Sequence, residues 1–136
     1  MIEFATHGYE NSSTNRIVKE CGISKGSLFK YFKSKEELYF YLIEIIFSEM
    51  SKEIETWITK ISKDDICQRV IDFCTLEMLW YVENPIKGSF VITATSDSNT
   101  KIFKKTITCL GYIHSSYQHF LDSCLFSTSW KDFIEN

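Results

Sequence analysis

The stretch at residues 22–38, GISKGSLFKYFKSKEEL, decides the fold of this protein. It follows a short helical segment with a basic outer face, residues 13–21, and it leads into a much longer helical segment. A helix, a turn of a few residues that contains glycine, and a second short helix together form a helix-turn-helix. The second helix of such a unit lies in the DNA major groove and presents its N-terminal side chains to the base edges. The sequence therefore predicts a DNA-binding element.

Positive charge is concentrated around this element, although the whole chain has a formal net charge of −3. Residues 16–35 hold six basic side chains against the single acid Glu20, which gives +5. From residue 39 onward, nine basic and thirteen acidic residues give −4. Because phosphate neutralisation supplies most of the non-specific affinity for DNA, a basic patch on an acidic body suits a DNA-reading element. A solvated helical face would give the same charge pattern, so the motif carries the argument.

The composition suits an all-α protein made of one domain or of two small helical subdomains that share a core. The 136 residues include one proline and five glycines, too few turn residues for an all-β fold. The sequence contains no run of about 18 or more uncharged apolar residues, which argues against a membrane span. No secretory signal is visible. Five cysteines without a C-x-x-C pair favour reduced, buried thiols in a cytoplasmic protein and indicate no metal site.

Apolar spacing, capping residues and helix breakers predict the remaining elements. We expect Gly8 to end a first helix in the left-handed conformation, and Ser24 to cap the helix that follows the turn. Ser34 and Glu37 have the spacing of a capping box, in which each side chain bonds to the other residue's amide. An Asn-Pro pair at residues 84–85 stops a later helix. The predicted helices cover residues 2–7, 13–21, 25–32, 35–61, 64–83, 87–94, 99–125 and part of 127–136.

Helical spacing also predicts which side of each helix is buried. In the helix after the turn, Leu28 and Phe32 face inward, together with Ile17, Val18 and Ile23. The stripe expected to be buried in the helix at residues 64–83 consists of Ile66, Val70, Phe73, Cys74, Glu77 and Tyr81. The stripe expected in the helix at residues 99–125 consists of Phe103, Ile107, Leu110, His114, Tyr117 and Leu121.

The outward side of the helix after the turn carries side chains that suit DNA. Lys25 can donate to guanine acceptors or to phosphate, and Ser27 can donate or accept at either kind of base pair. Gly26 has no side chain, so the backbone can approach a base pair closely. Lys35 heads the next helix, where its ammonium and the free amides favour a phosphate. The hydroxyl of Tyr31 could reach a phosphate, or its ring could belong to the core, and the sequence leaves both open.

The first forty residues carry a dense set of motif positions. They are Phe4, Gly8-Tyr9, Ser12-Ser13, Ile17, Gly22-Ile23-Ser24, Gly26-Ser27-Leu28-Phe29, Tyr31-Phe32 and Ser34-Lys35-Glu36-Glu37-Leu38. This pattern resembles the signature of the tetracycline-repressor (TetR) family. The resemblance implies an all-helical repressor, with a helix-turn-helix domain at residues 1–38 and a ligand-binding and dimerisation domain at residues 39–136. It also implies a homodimer that binds a palindromic operator in double-stranded DNA, from which a small molecule releases it.

The resemblance also implies roles for individual positions, with three departures from the family. Phe29 stands where the family commonly has tyrosine, so apolar contact with a thymine methyl replaces a hydroxyl contact. The chain begins at Met1 in what should be the middle of the first helix. It ends before the two helices that normally build the dimer interface are complete, so we expect truncation at both ends. The implied groove-facing residues are Lys25, Gly26, Ser27, Phe29 and Lys30, and the implied phosphate contacts are Ser13, Thr14, Tyr31 and Lys35.

Aromatic residues in the C-terminal part are the candidate ligand contacts. An aromatic-lined cavity between helices would suit an apolar or cationic ligand, whereas the same residues would also form an ordinary core. Glu77 either pairs with a ligand cation or reaches solvent, because an unpaired buried carboxylate is costly. His114 lies on an apolar face, where a hydrogen-bonded core histidine is the competing interpretation. The candidates are Trp57, Phe73, Glu77, Trp80, Tyr81, Phe90, His114 and Tyr117.

No catalytic or cofactor motif accompanies the helix-turn-helix. The sequence has no Gly-rich phosphate loop, no H-E-x-x-H and no nucleophile in a known motif context, so we expect neither an enzyme nor a cofactor. Two hypotheses remain. The chain is a ligand-responsive, dimeric repressor, or it is a helical sensing or interaction module whose degenerate helix-turn-helix does not bind DNA. Salt-dependent binding to a palindromic duplex separates the two.

Overall fold

Helices make up the regular structure of this protein. The computed structural model describes residues 1–61 and 65–109, and this part of the chain contains seven helices and no strand, which confirms the all-α prediction. None of the helices described is long and apolar enough to cross a membrane. The predicted helix within residues 127–136 lies outside the described residues. The helices are α1 (Ile2–Asn11), α2 (Thr14–Glu20), α3 (Lys25–Tyr31), α4 (Lys35–Lys60), α5 (Ile66–Glu83), α6 (Pro85–Thr95) and α7 (residues 100–109).

Helices α3 and α4 begin at the capping residues that the sequence predicts. Ser24 Oγ accepts a hydrogen bond from the Ser27 amide at 3.0 Å, and Ser34 Oγ accepts one from the Glu37 amide at 3.1 Å. The return bond of the predicted capping box differs. The Glu37 carboxylate accepts the amide of Lys33 at 2.5 Å instead of that of Ser34. The Ser34 side chain therefore satisfies an amide that a helix start leaves without an intrahelical partner, and Glu37 binds the amide of the residue before the cap.

Gly8 adopts the predicted left-handed φ, at 70°, and its non-helical conformation ends the first helical segment of α1 in a kink, as predicted. A second short segment, which the sequence did not predict, continues α1 to Asn11. Combined with a ψ of 180°, this backbone conformation is accessible essentially to glycine alone. The second segment is stabilised by the Lys35 ammonium, which donates to the carbonyls of Tyr9 at 2.7 Å and Glu10 at 3.3 Å.

Helix α4 joins the helix-turn-helix to the rest of the molecule. Its 26 residues correspond to about 39 Å of helix. Because its buried positions recur every three or four residues, they form one apolar stripe on which the other helices pack. The proposed boundary between residues 1–38 and 39–136 falls within this continuous helix. The buried residues of α4 are Leu38, Tyr39, Ile43, Ile46, Phe47, Met50, Ile54 and Trp57.

An aromatic cluster joins α4 to α1 and α6. The Tyr39 ring lies 4.8 Å from Phe4 and 5.1 Å from Phe90, between ring centroids, and all three side chains are fully buried. The hydroxyls of two α6 residues, Ser89 and Thr93, also donate to the carbonyl oxygen of Ala5 in α1, at 3.2 and 3.3 Å. Rings and hydrogen bonds therefore attach α6 to the first helix of the helix-turn-helix.

The Tyr39 hydroxyl is buried without a hydrogen-bond partner among the described residues, and burial raises the pKa of this phenol. Since an unsatisfied buried hydroxyl costs free energy, Tyr39→Phe should raise the free energy of unfolding by about 1 kcal/mol. Urea denaturation measures the change. The matched control is Tyr41→Phe, whose ring is 48% exposed. If Tyr39→Phe is destabilising while the control is neutral, the Tyr39 hydroxyl has a partner in the folded protein.

Helix α5 ends at Glu83, directly before the Asn-Pro pair that was predicted to stop it, and α6 starts at the proline. The expected helix at residues 87–94 is confirmed within α6. The buried stripe of α5 differs from the prediction, because Val70 and Cys74 are exposed, whereas Arg69 and Trp80 are buried beside the expected Phe73. Apolar residues lie on two sides of α5, and only one of these sides packs on the core.

The buried side of α7 is also shifted from the predicted one. Phe103 and Ile107 are each 45% exposed, whereas Ile102, Thr106 and Cys109 are buried. The shift by one residue rotates the helix by about 100° relative to the expectation. The later residues predicted for this stripe lie beyond the described part of the chain.

The thiols also differ from the expectation of burial. Cys21, Cys67 and Cys74 are exposed, and Cys109 is buried. Burial raises the pKa of the Cys109 thiol above its ordinary value. The prediction of buried cysteines is therefore wrong for three of these four positions.

Candidate nucleic-acid interface

Helix α3 has a single buried residue, Leu28, which is 7% exposed and belongs to the same core as Ile17 of α2. Phe32 and Val18 are half-buried against that core, as the sequence predicts. Ile23 is 44% exposed, so the expectation that it faces inward is wrong. It lies in the turn beyond the end of α2, where no helical side directs it toward the core.

The other residues of α3 all face solvent. Tyr31 is 75% exposed, so the interpretation of its ring as part of the core is wrong. Phe29 is 37% exposed, which leaves an apolar side chain on an otherwise polar surface. We call this solvent-facing side of α3 the reading face, and it consists of Lys25, Gly26, Ser27, Phe29, Lys30 and Tyr31.

Contacts at the start of α3 orient the polar side chains of the reading face. The Ser27 hydroxyl lies 2.8 Å from the hydroxyl of the capping residue Ser24. The Lys25 ammonium lies 6.0 Å from the centre of the Phe29 ring, which places the cation over an aromatic surface. A Cβ at Gly26 would meet only Ser24 Oγ at 3.8 Å, an ordinary contact. The fold therefore does not require glycine at position 26. Glycine is present there even though it destabilises a helix interior.

The residues predicted to hold phosphates beside α3 lie at the start of α2. Ser13 and Thr14 are both half-buried. Ser13 is the N-cap residue of α2, but its side chain makes no capping hydrogen bond. Its amide donates to Glu3 Oε1 at 2.8 Å, so the backbone at this position is held from α1.

Lys35 points inward, toward the end of α1. Its ammonium donates to the carbonyl oxygens of Tyr9, Glu10 and Ser12 at 2.7, 3.3 and 3.2 Å, and it lies 4.5 Å from the centre of the Tyr9 ring. A lysine ammonium has three donors, and each of them has an acceptor within the protein. A phosphate contact by Lys35, as the sequence predicts, requires some of these hydrogen bonds to break.

Glu3 is a buried carboxylate that the sequence analysis missed. Its side chain is 3% exposed and pairs with Arg16, whose Nε donates to Glu3 Oε1 at 2.8 Å. This bond holds the pKa of Glu3 below its usual value, and the Ser13 amide acts in the same direction. The stabilisation is therefore present above the unfolded pKa and is lost as the pH falls through the lowered folded value. No local spacing links positions 3 and 16, so only the folded chain reveals the pair.

The predicted ligand residues do not converge on one cavity. Trp57 and Phe73 form an edge-to-face pair with ring centroids 5.9 Å apart, near the C-terminal end of α4. Phe90 packs instead on Tyr39, near the N-terminal end of α4. Tyr39 and Trp57 are separated by eighteen positions on that helix, which corresponds to about 27 Å. These aromatic residues therefore stabilise two separate parts of the core.

The remaining ligand candidates lie along α5 or outside the described residues. The rings of Trp80 and Tyr81 are 5.3 Å apart, and Trp80 is buried. Glu77 is half-buried and interacts with other groups of the protein. His114 and Tyr117 are outside the part of the chain that the structure describes.

A cleft of about 550 Å³ opens between α4 and α7. Lys105 of α7 and Glu44 of α4 form an ion pair in this cleft. Its lining has two apolar side chains and seven polar or charged ones, so the cleft is more polar than a usual small-molecule site, which is lined mainly by apolar and aromatic side chains. Among the predicted ligand residues that the structure describes, none lines the cleft. Its lining residues are Glu44, Phe47, Ser48, Ser51, Lys52, Glu55, Lys105, Thr108 and Cys109.

The helix-turn-helix is similar in sequence to known bacterial regulators. Residues 1–42 match the family model of bacterial regulatory proteins of the tetR family. The chain is 42% identical over 64 residues to an HTH-type transcriptional regulator of Staphylococcus aureus (strain bovine RF122 / ET3-1). It is 41% identical over 64 residues to one from strain USA300 of the same species. Each match covers 46% of this chain and 31% of the relative, so the matched part spans less than a third of those regulators.

The fold is similar to that of a solved structure. A protein from Shewanella sp. PV-4, described as a tetR family transcription regulator, superposes with a TM-score of 0.65 at 25% sequence identity. The similarity covers 88% of this chain and 64% of that one, and it therefore extends well beyond the helix-turn-helix. The family-model match from α1 to the start of α4, the curated relatives and the shared fold together make this chain similar to transcriptional regulators of the TetR family.

Proposed function

We propose that this protein is a DNA-binding transcriptional regulator that inserts α3 into the major groove. The observation that carries the proposal is the reading face, which leaves every residue of α3 except Leu28 in solvent. This face includes the exposed lysines at positions 25 and 30, and the exposed lysines at positions 19 and 33 lie outside α3; all four can neutralise phosphates. The small size of Gly26 has no reason within the fold, but it suits close approach of the backbone to a base pair.

In this proposal the protein acts as a homodimer on a palindromic operator in double-stranded DNA. Two copies place their α3 helices in successive major grooves, about 34–36 Å apart. Ser13, Thr14 and Tyr31 then lie beside the phosphates that flank the groove. Because α4 continues from the helix-turn-helix into the rest of the molecule, a tilt of α4 changes the separation of the two reading faces.

The proposal includes release from the operator by a small molecule, which makes the protein a repressor. The cleft between α4 and α7 supports this part, because a ligand bound there contacts α4 directly through Phe47 and Ser51. Such a ligand shifts the equilibrium only if it binds the DNA-free arrangement more tightly than the DNA-bound one. A competing role, as an interaction module that does not bind DNA, predicts no operator at all.

Selection of duplexes from a random-sequence library with the purified chain tests the proposal. We expect enrichment of a palindrome, with an affinity that falls steeply as salt is added. Sedimentation velocity of the complex should show two copies on each duplex. If no sequence is enriched and binding to a mixed-sequence duplex is absent at low salt, the interaction-module hypothesis replaces this one.

Lys25→Ala should relax the base preference of the protein. Loss of a base-contacting side chain of this type costs about 1–3 kcal/mol on the matched operator, and it should change binding to a scrambled duplex much less. The matched control is Lys33→Ala, an exposed lysine just outside α3, which should weaken both duplexes equally or not at all. Fluorescence anisotropy with both duplexes gives the two ratios. Equal losses for Lys25→Ala on both duplexes would place Lys25 at a phosphate instead.

A further inference from the structure

The peptide bond between Ser12 and Ser13 lies between two opposite charges. On its carbonyl side, the Lys35 ammonium donates to the Ser12 oxygen at 3.2 Å. On its amide side, Glu3 Oε1 accepts the Ser13 N–H at 2.8 Å. Lys35 belongs to α4 and Glu3 to α1, so one peptide unit connects three parts of the helix-turn-helix. It immediately precedes the first residue of α2.

Both charged groups are held in place by further contacts. Glu3 is 3% exposed and is fixed by Arg16, and Lys35 has two additional carbonyl acceptors at the end of α1. The Ser12 residue is itself buried, and its hydroxyl donates to the Tyr9 carbonyl at 2.7 Å. Hydrogen bonds that involve a charged group are stronger than neutral ones. The orientation of this peptide unit is therefore determined on both sides.

We propose that Glu3 and Lys35 form an ion clamp on the Ser12–Ser13 peptide, which sets the position of Ser13 and Thr14 against the DNA backbone. In this arrangement neither charged side chain contacts DNA. Both are positioning residues, and the phosphate contacts come from the hydroxyls of Ser13 and Thr14. The inference rests on the proposed DNA-binding function, and it assigns Lys35 a role different from the direct phosphate contact that the sequence predicts.

The ion clamp and a direct contact predict different salt dependences. A lysine that neutralises a phosphate releases counterions, so its removal lowers the slope of log affinity against log salt by about 0.9 per contact. Neutral hydroxyl contacts release no counterions. Loss of the ion clamp should therefore weaken binding to all DNA sequences while it leaves this slope unchanged.

Glu3→Gln gives the sharpest test, because two explanations predict changes of opposite sign. Removal of an anion beside a DNA-binding surface, and with it the partner of Arg16, should tighten binding if charge alone matters. The ion clamp predicts binding about tenfold weaker, since the neutral amide cannot hold the Ser13 N–H and Arg16 as the carboxylate does. The probe is a mixed-sequence duplex, titrated at several salt concentrations. Tighter binding of Glu3→Gln overturns the inference.

Lys35→Met is the second variant, with Lys30→Met as its matched control. Both changes remove one positive charge, but Lys30 is exposed on the reading face whereas Lys35 is directed inward. We expect Lys35→Met to bind about tenfold more weakly with an unchanged slope, and Lys30→Met to lower the slope by about 0.9. A similar drop in slope for Lys35→Met shows direct phosphate contact and overturns the inference.

A double-mutant cycle separates positioning from general loss of stability. In a Ser13→Ala, Thr14→Val background, the contacts that the ion clamp positions are already lost, so Lys35→Met should have little further effect on affinity. Additive losses overturn the inference. Circular dichroism confirms that each variant is folded at the temperature of the measurement.

A measurement without DNA completes the test. The Ser13 amide proton, followed by NMR, should report the protonation of Glu3 as the pH is lowered, because that amide donates to the carboxylate. If the chemical shift of the Ser13 amide proton does not follow the protonation of Glu3, the ion clamp is overturned, whether or not the protein binds DNA. If the titration is seen but the wild-type protein binds no duplex, the proposed function and the positioning role both fail. A drop in the salt slope of Lys35→Met, by contrast, overturns only the positioning role and leaves the proposed function standing.

Discussion

Phe90→Ala is expected to lower the free energy of unfolding by about 3–5 kcal/mol, the cost typical of deleting a buried aromatic side chain. Phe90 is fully buried on α6 and lies 5.1 Å from the Tyr39 ring, between ring centroids. Tyr39 in turn packs on Phe4 of α1. The lost ring therefore leaves a cavity where three helices meet, at the attachment of the helix-turn-helix to the rest of the molecule. Urea denaturation followed by circular dichroism measures the change.

Phe103→Ala is the matched control for this prediction. It makes the same chemical change at a residue of α7 that is 45% exposed, so its cost should be about 1 kcal/mol or less. Equal losses at the two positions would show that Phe90 is not the more buried residue in solution. If Phe90→Ala lowers the free energy of unfolding by much less than expected, the surrounding side chains collapse into the cavity.

The double charge reversal Lys25→Glu, Lys30→Glu should lower the affinity for any DNA duplex by at least about 100-fold at low salt. Both side chains lie on the reading face and are exposed. The change removes two cations that neutralise phosphates or donate to bases, and it places two anions against the DNA backbone. Since neither side chain is packed in the core, thermal stability should change little. Fluorescence anisotropy with a mixed-sequence duplex gives the affinity at each salt concentration.

The control for charge reversal is the pair Lys52→Glu, Lys60→Glu. These lysines are exposed in the C-terminal half of α4, at least 17 residues from the start of that helix, and their reversal changes the net charge by the same amount. We expect a small loss of affinity from the altered overall charge and an unchanged salt slope. If both variants lose affinity equally, the binding depends on net charge and not on the reading face.

Local signals in the sequence predicted the start of the fold well. Ser24 and Ser34 cap their helices as expected, because a capping hydrogen bond involves residues only three positions apart. Gly8 has the predicted positive φ, since its conformation depends on the absence of a Cβ. The exposed side of α3 followed from the spacing of Leu28 and its neighbours. The order of residues 13–38 was therefore enough to predict the helix-turn-helix and the exposed side of α3, except for Tyr31, whose position the sequence left open.

Interactions between distant residues were not predictable in this way. α5 and α7 have apolar residues on two sides, so periodicity could not indicate which side packs, and the predicted stripe was partly wrong in both helices. The separation of Phe90 from the Trp57–Phe73 pair likewise depends on where α5 and α6 pack along α4.

The ion clamp is the clearest example of contacts between distant residues that sequence patterns did not predict. Glu3 and Lys35 are 32 positions apart, and they meet one peptide bond only because α1 and α4 fold to opposite sides of it. From the sequence, Lys35 was an exposed cation at a helix start, and Glu3 had no predicted role. Chain-local hydrogen bonds and glycine conformations are set within a few residues, so the sequence specifies them directly. The environment of a charge depends on helices brought together by core packing, and it is established only in the folded protein.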